Sequence, residues 1–148
     1  MRETFTKGMA RNIYYGGAVF FFLALVGLTV DTVTSIPKTD NRANISEQVA
    51  AGKRVWERND CIGCHTLMGE GAYFAPELGN VYSRRGGENG GIAFIKTWIK
   101  FRPVNGVPDR RSMPQFNLTD EELEDIAQFL KYVDGIKTAR NWPPNKEG

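Results

Sequence analysis

The sequence predicts an all-α protein: one amino-terminal membrane-spanning helix followed by a small helical domain. Three observations carry this reading. Residues 12–30 hold no charged side chain. Two later segments, 46–59 and 119–134, place apolar residues at helical spacing behind good N-cap residues. Nowhere does an alternating pattern last long enough to build a sheet.

The first element is the apolar run, IYYGGAVFFFLALVGL, which begins at Ile13. A helix over residues 11–33 would be roughly 34 Å long, enough to cross a bilayer core with slight tilt. A cleaved signal peptide is the competing reading, since Lys7 and Arg11 precede the run. The run exceeds the usual apolar length of such peptides, and no A-x-A site follows it, so an uncleaved anchor is expected. Arg2, Lys7 and Arg11 lie before the helix against a single Glu3, while Asp31 follows. That asymmetry predicts a cytoplasmic amino terminus and an exported domain. The expected organisation is an anchor over residues 1–33, a periplasmic linker over 34–45 and a folded domain over 46–148. The linker contains Pro37 and has no period of either kind.

Ser46 is placed to cap a helix running to about Asn59, with Gly52 and Trp56 four apart on one face. Glycine lowers helix propensity, and the usual compensation is a second helix crossing closely over it. The partner expected is the last helix. Thr119 and Glu122 form a T-x-x-E capping box, and Leu123, Ile126, Ala127 and Leu130 follow at i, i+3, i+4 and i+7. The crossing is expected to set Ile126 and Phe129 over Gly52 and Trp56. A further helix is expected over residues 92–101, ended by Arg102-Pro103. Residues 68–91 and 103–118 read as irregular, Gly- and Pro-rich loops.

The chain has 19 basic and 17 acidic residues. Setting aside the three basic and one acidic residue before the anchor leaves 16 of each in the rest. The two signs are separated: residues 84–111 carry seven positive and two negative side chains, and 120–134 carry six negative and one positive. Such a dipole suits orientation of a soluble partner, and equally describes two ordinary solvated faces. No alternation of basic and aromatic residues points to nucleic acid.

The chemistry is concentrated in one place. The only histidine and both cysteines fall in Cys61-Ile62-Gly63-Cys64-His65. This is the C-x-x-C-H spacing of covalent haem attachment, two thiols for thioether bonds and an adjacent imidazole for the iron. A zinc site would call for further Cys or His, of which there are none, and a thioredoxin-like pair would call for a βαβ context. With a single histidine, the second axial ligand must be something else. Met68 is three residues past His65, too near to pass round a porphyrin, and Met1 and Met9 lie before the membrane run. That leaves Met113 in Ser112-Met113-Pro114, with the proline stiffening its loop. A filled pair of axial positions predicts electron transfer without bond chemistry, so no catalytic residue is expected. Pro76, eleven residues beyond His65, is placed to offer its carbonyl to the imidazole Nδ1–H, with Leu78 packing on the same haem face. Tyr82 and Trp98 are candidates for hydrogen bonds to haem propionates, and equally for core aromatics. A domain this small with so much loop is expected to need the cofactor's apolar surface to fold.

In this order, Gly52 and Trp56, CIGCH, Pro76 and Leu78, Met113-Pro114 and the terminal ELEDIAQFLKYV resemble the class I cytochromes c. Ala75 stands where a glycine often precedes the proline. The whole chain, through TFTKGMARNIYYGGAVFFF, CHTLMGEGAYFAPELGNVY and WIKFRPVNGVPDRRSMPQFNLTDEEL, is similar to the small cytochrome c subunit of bacterial nitric oxide reductases. The resemblance implies one covalent haem c on the periplasmic side of the inner membrane, beside a large multi-span subunit that holds haem b, haem b3 and non-haem iron. It implies electrons taken from a soluble cytochrome c or a cupredoxin. It also implies an interface calcium held in part by backbone oxygens of Gly71 and Tyr73. A self-sufficient membrane-anchored cytochrome that shuttles between respiratory complexes is the alternative that the residues leave open, and a haem-binding module without turnover is a third.

Overall fold

The computed structural model describes residues 5–137 and divides into two compact units, Met1–Asp40 and Asn41–Gly148. The first unit is dominated by α1, Lys7–Ser35. Its N-cap is Thr6, whose hydroxyl accepts from the Met9 amide at 3.2 Å. None of its residues is buried, and its side chains are apolar on every face, as a lipid-facing helix requires. The helix is longer than the expected residues 11–33 by one turn at its start. Thr side chains are absorbed along it, with the Thr29 and Thr34 hydroxyls bonded one turn back to the Leu25 and Val30 carbonyls. Arg2 and the tail after residue 137 lie outside the described residues.

In the second unit, α2 (Glu47–Arg58) is capped by Ser46, whose hydroxyl accepts from the Val49 amide. A 3₁₀ turn, Cys61–Gly63, follows at once, and then a hairpin of β1 (Thr66–Leu67) and β2 (Glu70–Gly71). After a loop come α3 (Val81–Arg84), α4 (Gly91–Lys100) and α5 (Asp120–Asp134). Sequence periodicity placed α2, α4 and α5 to within a residue or two. The hairpin turn, β2 and α3 fall in residues 68–91, expected to be irregular, and β1 lies just before them.

The long helix α5 organises the domain, with α2, α3 and α4 packed on it. Its buried stripe, Leu123, Ile126, Ala127, Phe129, Leu130 and Val133, has the helical spacing seen in the sequence. Leu123 is only 1% exposed, and burying a side chain of that size contributes about 1.5–3 kcal/mol. The capping box is complete: the Thr119 hydroxyl accepts from the Glu122 amide, and the Glu122 carboxylate accepts from the Thr119 amide. Trp56 of α2 meets Phe129 with ring centroids 6.2 Å apart. At the crossing, the nearest neighbours of Gly52 are the Asp125 backbone and the Phe129 Cβ. At the rim, Arg58–Glu122, Lys96–Glu124 and Lys100–Asp120 pair α5 with its neighbours at 2.5 Å each. Partly exposed, such pairs are worth about 0–1 kcal/mol apiece.

Candidate functional site

The C-x-x-C-H segment is held by backbone, and the geometry follows from where the chain turns. Two residues past α2, Asp60 takes the left-handed conformation at φ 49°, which turns the chain into the Cys61–Gly63 3₁₀ turn. The amides of Cys64 and His65 both return to the Cys61 carbonyl, at 3.2 and 2.9 Å. The two thiols are thereby set on one tight turn with different exposure: Cys61 is buried and Cys64 is exposed. Both are free. Burial, helped by the Asp60 carboxylate, pushes the Cys61 thiol up to about 11.

From this turn the chain zips onto itself. Going outward, the Ala72 amide donates to the Ile62 carbonyl at 3.0 Å, the Ala75 amide to Cys64 at 2.9 Å, and the Leu78 amide to Thr66 at 3.0 Å. The Pro76 carbonyl lies between the last two rungs, 2.7 Å from His65 Nδ1. A carbonyl can only accept, so Nδ1 carries the proton and Nε2 is the nitrogen with a free lone pair. Burial holds the imidazole below its usual pKa, outweighing the Pro76 carbonyl and the Glu77 charge, which act in the opposite direction. A neutral imidazole with its Nδ1–H engaged and Nε2 free is the form that ligates a metal.

The hairpin between these rungs turns through Met68 and Gly69, with φ of 57° and 86°. Two positive φ angles are what a type I′ turn demands. Gly71 follows at φ 116°, and a Cβ there would overlap the His65 carbonyl oxygen and lie 3.0 Å from that of Ile62. Only glycine lets this strand lie so close on the histidine backbone. Tyr73 is 82% exposed, two residues further along.

Of the other residues singled out, Leu78 is half-buried against the core and joined to Thr66 through its amide. Met113 is half-buried against the same core, in a loop pinned where the Val107 amide donates to Ser112 Oγ at 3.1 Å. Tyr82 is buried, and its hydroxyl engages Glu88 and Lys131, with the Lys131 ammonium 5.1 Å from the ring centre. The structure thus gives that hydroxyl partners within the domain. Trp98 is half-exposed on α4, stacked on Phe94 at 5.6 Å and covered by the Arg102 guanidinium at 3.7 Å. Trp56 lies 6.4 Å from the His65 ring.

One residue that the sequence did not single out is central. Glu77 is buried, and its carboxylate accepts from the amides of Met68, Gly79 and Gly69 at 2.9, 2.7 and 3.3 Å. Its own carbonyl accepts from Arg84 Nη2 at 3.0 Å. The only sequence signal was a carboxylate inside a glycine-rich loop.

The donor set fits a covalently bound haem. It comprises two thiols on one turn, an adjacent imidazole with Nε2 free, and a thioether in a pinned loop 48 residues on. The fit to calcium is partial. Among the described residues no group of three His, Cys, Asp or Glu side chains is gathered for a metal, and calcium takes six to eight oxygens.

Residues 49–134 match the Cytochrome c family. Over their full lengths, the chain is 58% identical to the nitric oxide reductase C subunit from Stutzerimonas stutzeri. It is 46% identical to the one from Paracoccus denitrificans and 44% to the one from Halomonas halodenitrificans, again with both chains covered completely. With a cytochrome c domain behind a helix long and apolar enough to cross a membrane, and matched end to end by these relatives, the chain belongs to the cytochrome c family of nitric oxide reductase C subunits.

Proposed function

We propose that this chain is the electron-accepting subunit of a nitric oxide reductase, with one covalent haem c in a domain on the periplasmic side of the inner membrane. The observation that carries the proposal is the engaged His65 Nδ1, which leaves Nε2 as an iron ligand beside two thiols on one turn. Bound haem c supplies a one-electron ferric/ferrous couple. Cys61 and Cys64 would hold it through thioether bonds, and His65 Nε2 and Met113 would ligate its iron. Pro76 keeps the imidazole in the right tautomer and orientation. Leu78 would pack on the histidine side and Trp98 would offer its indole N–H to a propionate, while the Tyr82 hydroxyl is engaged by Glu88 and Lys131. With both ligands supplied by protein, the group would carry electrons and would leave no position for substrate. Reduction of two NO with two electrons and two protons to N2O and water takes place on the large multi-span subunit, at haem b3 and non-haem iron. The donor is a soluble cytochrome c or cupredoxin. The large subunit is met by the hairpin side of the domain, where the Gly71 and Tyr73 carbonyls contribute to a calcium whose remaining ligands the partner supplies. The α1 helix anchors the assembly in lipid, with domains divided as 1–33, 34–45 and 46–148.

Purification of the tagged full-length chain from membranes in mild detergent tests this. The expected result is stoichiometric recovery with a multi-span protein containing b haem, and one covalent c haem per chain in the haemochrome spectrum. A chain that purifies alone and reduces generic acceptors would instead be a self-sufficient shuttle.

A further inference from the structure

The Glu77 carboxylate is bonded chiefly to main chain, with the Arg84 guanidinium close by on the Glu77 carbonyl. It is buried at 8% exposure, and its oxygens are spent on three backbone amides. Two of those, Met68 and Gly69, are the central residues of the hairpin turn, and the third, Gly79, lies two residues beyond Glu77 itself. Successive amides in a tight turn form a concave, electropositive cradle for an anion. Here the anion is a side chain from the loop segment that carries Pro76.

This contact compensates for a cost in the turn. Met68 holds a φ of 57°, a conformation that an L-residue without a short polar side chain rarely adopts. Asn or Asp commonly occupies that position of a type I′ turn, and methionine has no polar group to stabilise it locally. The Glu77 bonds to the Met68 and Gly69 amides hold the turn from outside. The same residue is fixed at its carbonyl by Arg84 Nη2. Pro76 is therefore clamped between the Ala75–Cys64 rung on one side and the Glu77 cradle with the Leu78–Thr66 rung on the other.

We propose that Glu77 is a positioning residue for the axial histidine: by gripping the Met68-Gly69 turn, it fixes the Pro76 carbonyl against His65 Nδ1 and so sets the donor strength of the imidazole. The inference rests on the haem reading above. A strong Nδ1–H···O=C bond makes the imidazole a more basic ligand and favours ferric iron; loosening it favours ferrous iron.

The test uses the full-length chain co-purified in its membrane complex, with the c-haem midpoint potential and the low-spin ferric electron-paramagnetic-resonance g values as readouts. Glu77→Gln keeps the shape but turns an amide donor toward backbone donors. Glu70→Gln removes one exposed negative charge from the same hairpin without touching the cradle. Glu77→Gln is expected to raise the potential and shift the g values, with Glu70→Gln close to wild type. Adding Met68→Asn to Glu77→Gln, which stabilises the turn locally, is expected to bring both readouts back toward wild type. If Glu77→Gln yields no holoprotein, recovery of holoprotein in that double variant supports the proposal, and failure of the double variant overturns it. Unchanged potential and g values in Glu77→Gln, or equal shifts in Glu70→Gln, also overturn it while leaving the haem reading intact. A wild-type chain without covalent haem overturns both.

Discussion

Gly52 rests on the main chain of Asp125 so closely that a Cβ at position 52 would overlap the Asp125 carbonyl oxygen and come within 2.7 Å of the Phe129 Cβ. The obstacle is backbone in the middle of α5, which cannot swing aside as a side-chain tip can. Gly52→Ala should therefore destabilise the holoprotein by about 1–3 kcal/mol, although alanine is the better helix former by about 1 kcal/mol. Gly52→Leu should be worse. Denaturant midpoints of the purified variants check this, and an Ala variant as stable as wild type would mean that α2 and α5 do not approach as described.

Met113 is the thioether expected on the iron. Met113→Leu should abolish the weak near-infrared sulfur-to-iron charge-transfer band of the ferric protein, while Met113→His should keep a low-spin iron and lower its potential. Persistence of the sulfur band in the leucine variant would transfer the ligand role elsewhere.

Acid should loosen the start of α5. The Lys100 ammonium holds Asp120 below its usual range, the Thr119 amide does the same for Glu122, and Lys96 for Glu124. A carboxylate depressed in the folded state stabilises it fully above the unfolded-state pKa and loses that contribution as pH falls through the folded value. Stability should thus be flat in this respect above about pH 5 and fall progressively below the ordinary carboxylate range near 4.5. Glu122→Gln should flatten the acid limb in a pH series of thermal melts. An acid limb identical to wild type would count against the capping box as its source.

The anchor predicts sidedness. Lys7 and Arg11 flank the start of α1 and Asp31 lies near its end, so protease added to spheroplasts should remove the haem domain and spare an amino-terminal tag. Protection of the domain with loss of the tag would reverse the topology.

What the sequence made legible is what repeats or caps. Helix α5 announced itself through Thr119, Glu122 and the Leu123–Leu130 stripe, and Gly52 through its cost within an amphipathic helix. The Pro76 carbonyl was within reach because eleven residues suffice for a loop to return to His65. The hairpin was hidden because its strands are two residues each and its turn is Met-Gly, where Asn-Gly would have signalled it. Glu77 was hidden for a different reason: its partners are main-chain amides, which leave no mark on residue identity. The partners of Tyr82 come from separate segments, Glu88 and Lys131, which only the tertiary fold brings together.

The rungs that build the histidine environment have a kinetic consequence. They join residues only 8 to 11 positions apart in the Glu77 and Pro76 contacts, whereas the Arg58–Glu122 pair that closes α2 on α5 spans 64. Short loops close at little entropic cost and on far faster timescales than distant ones. For a domain exported from its anchored end onward, as the expected topology implies, the thiols and the oriented imidazole could be complete while residues beyond Arg84 are still being threaded through. Thioether formation can thus precede folding, and α5 then arrives to a surface already furnished with its largest apolar component.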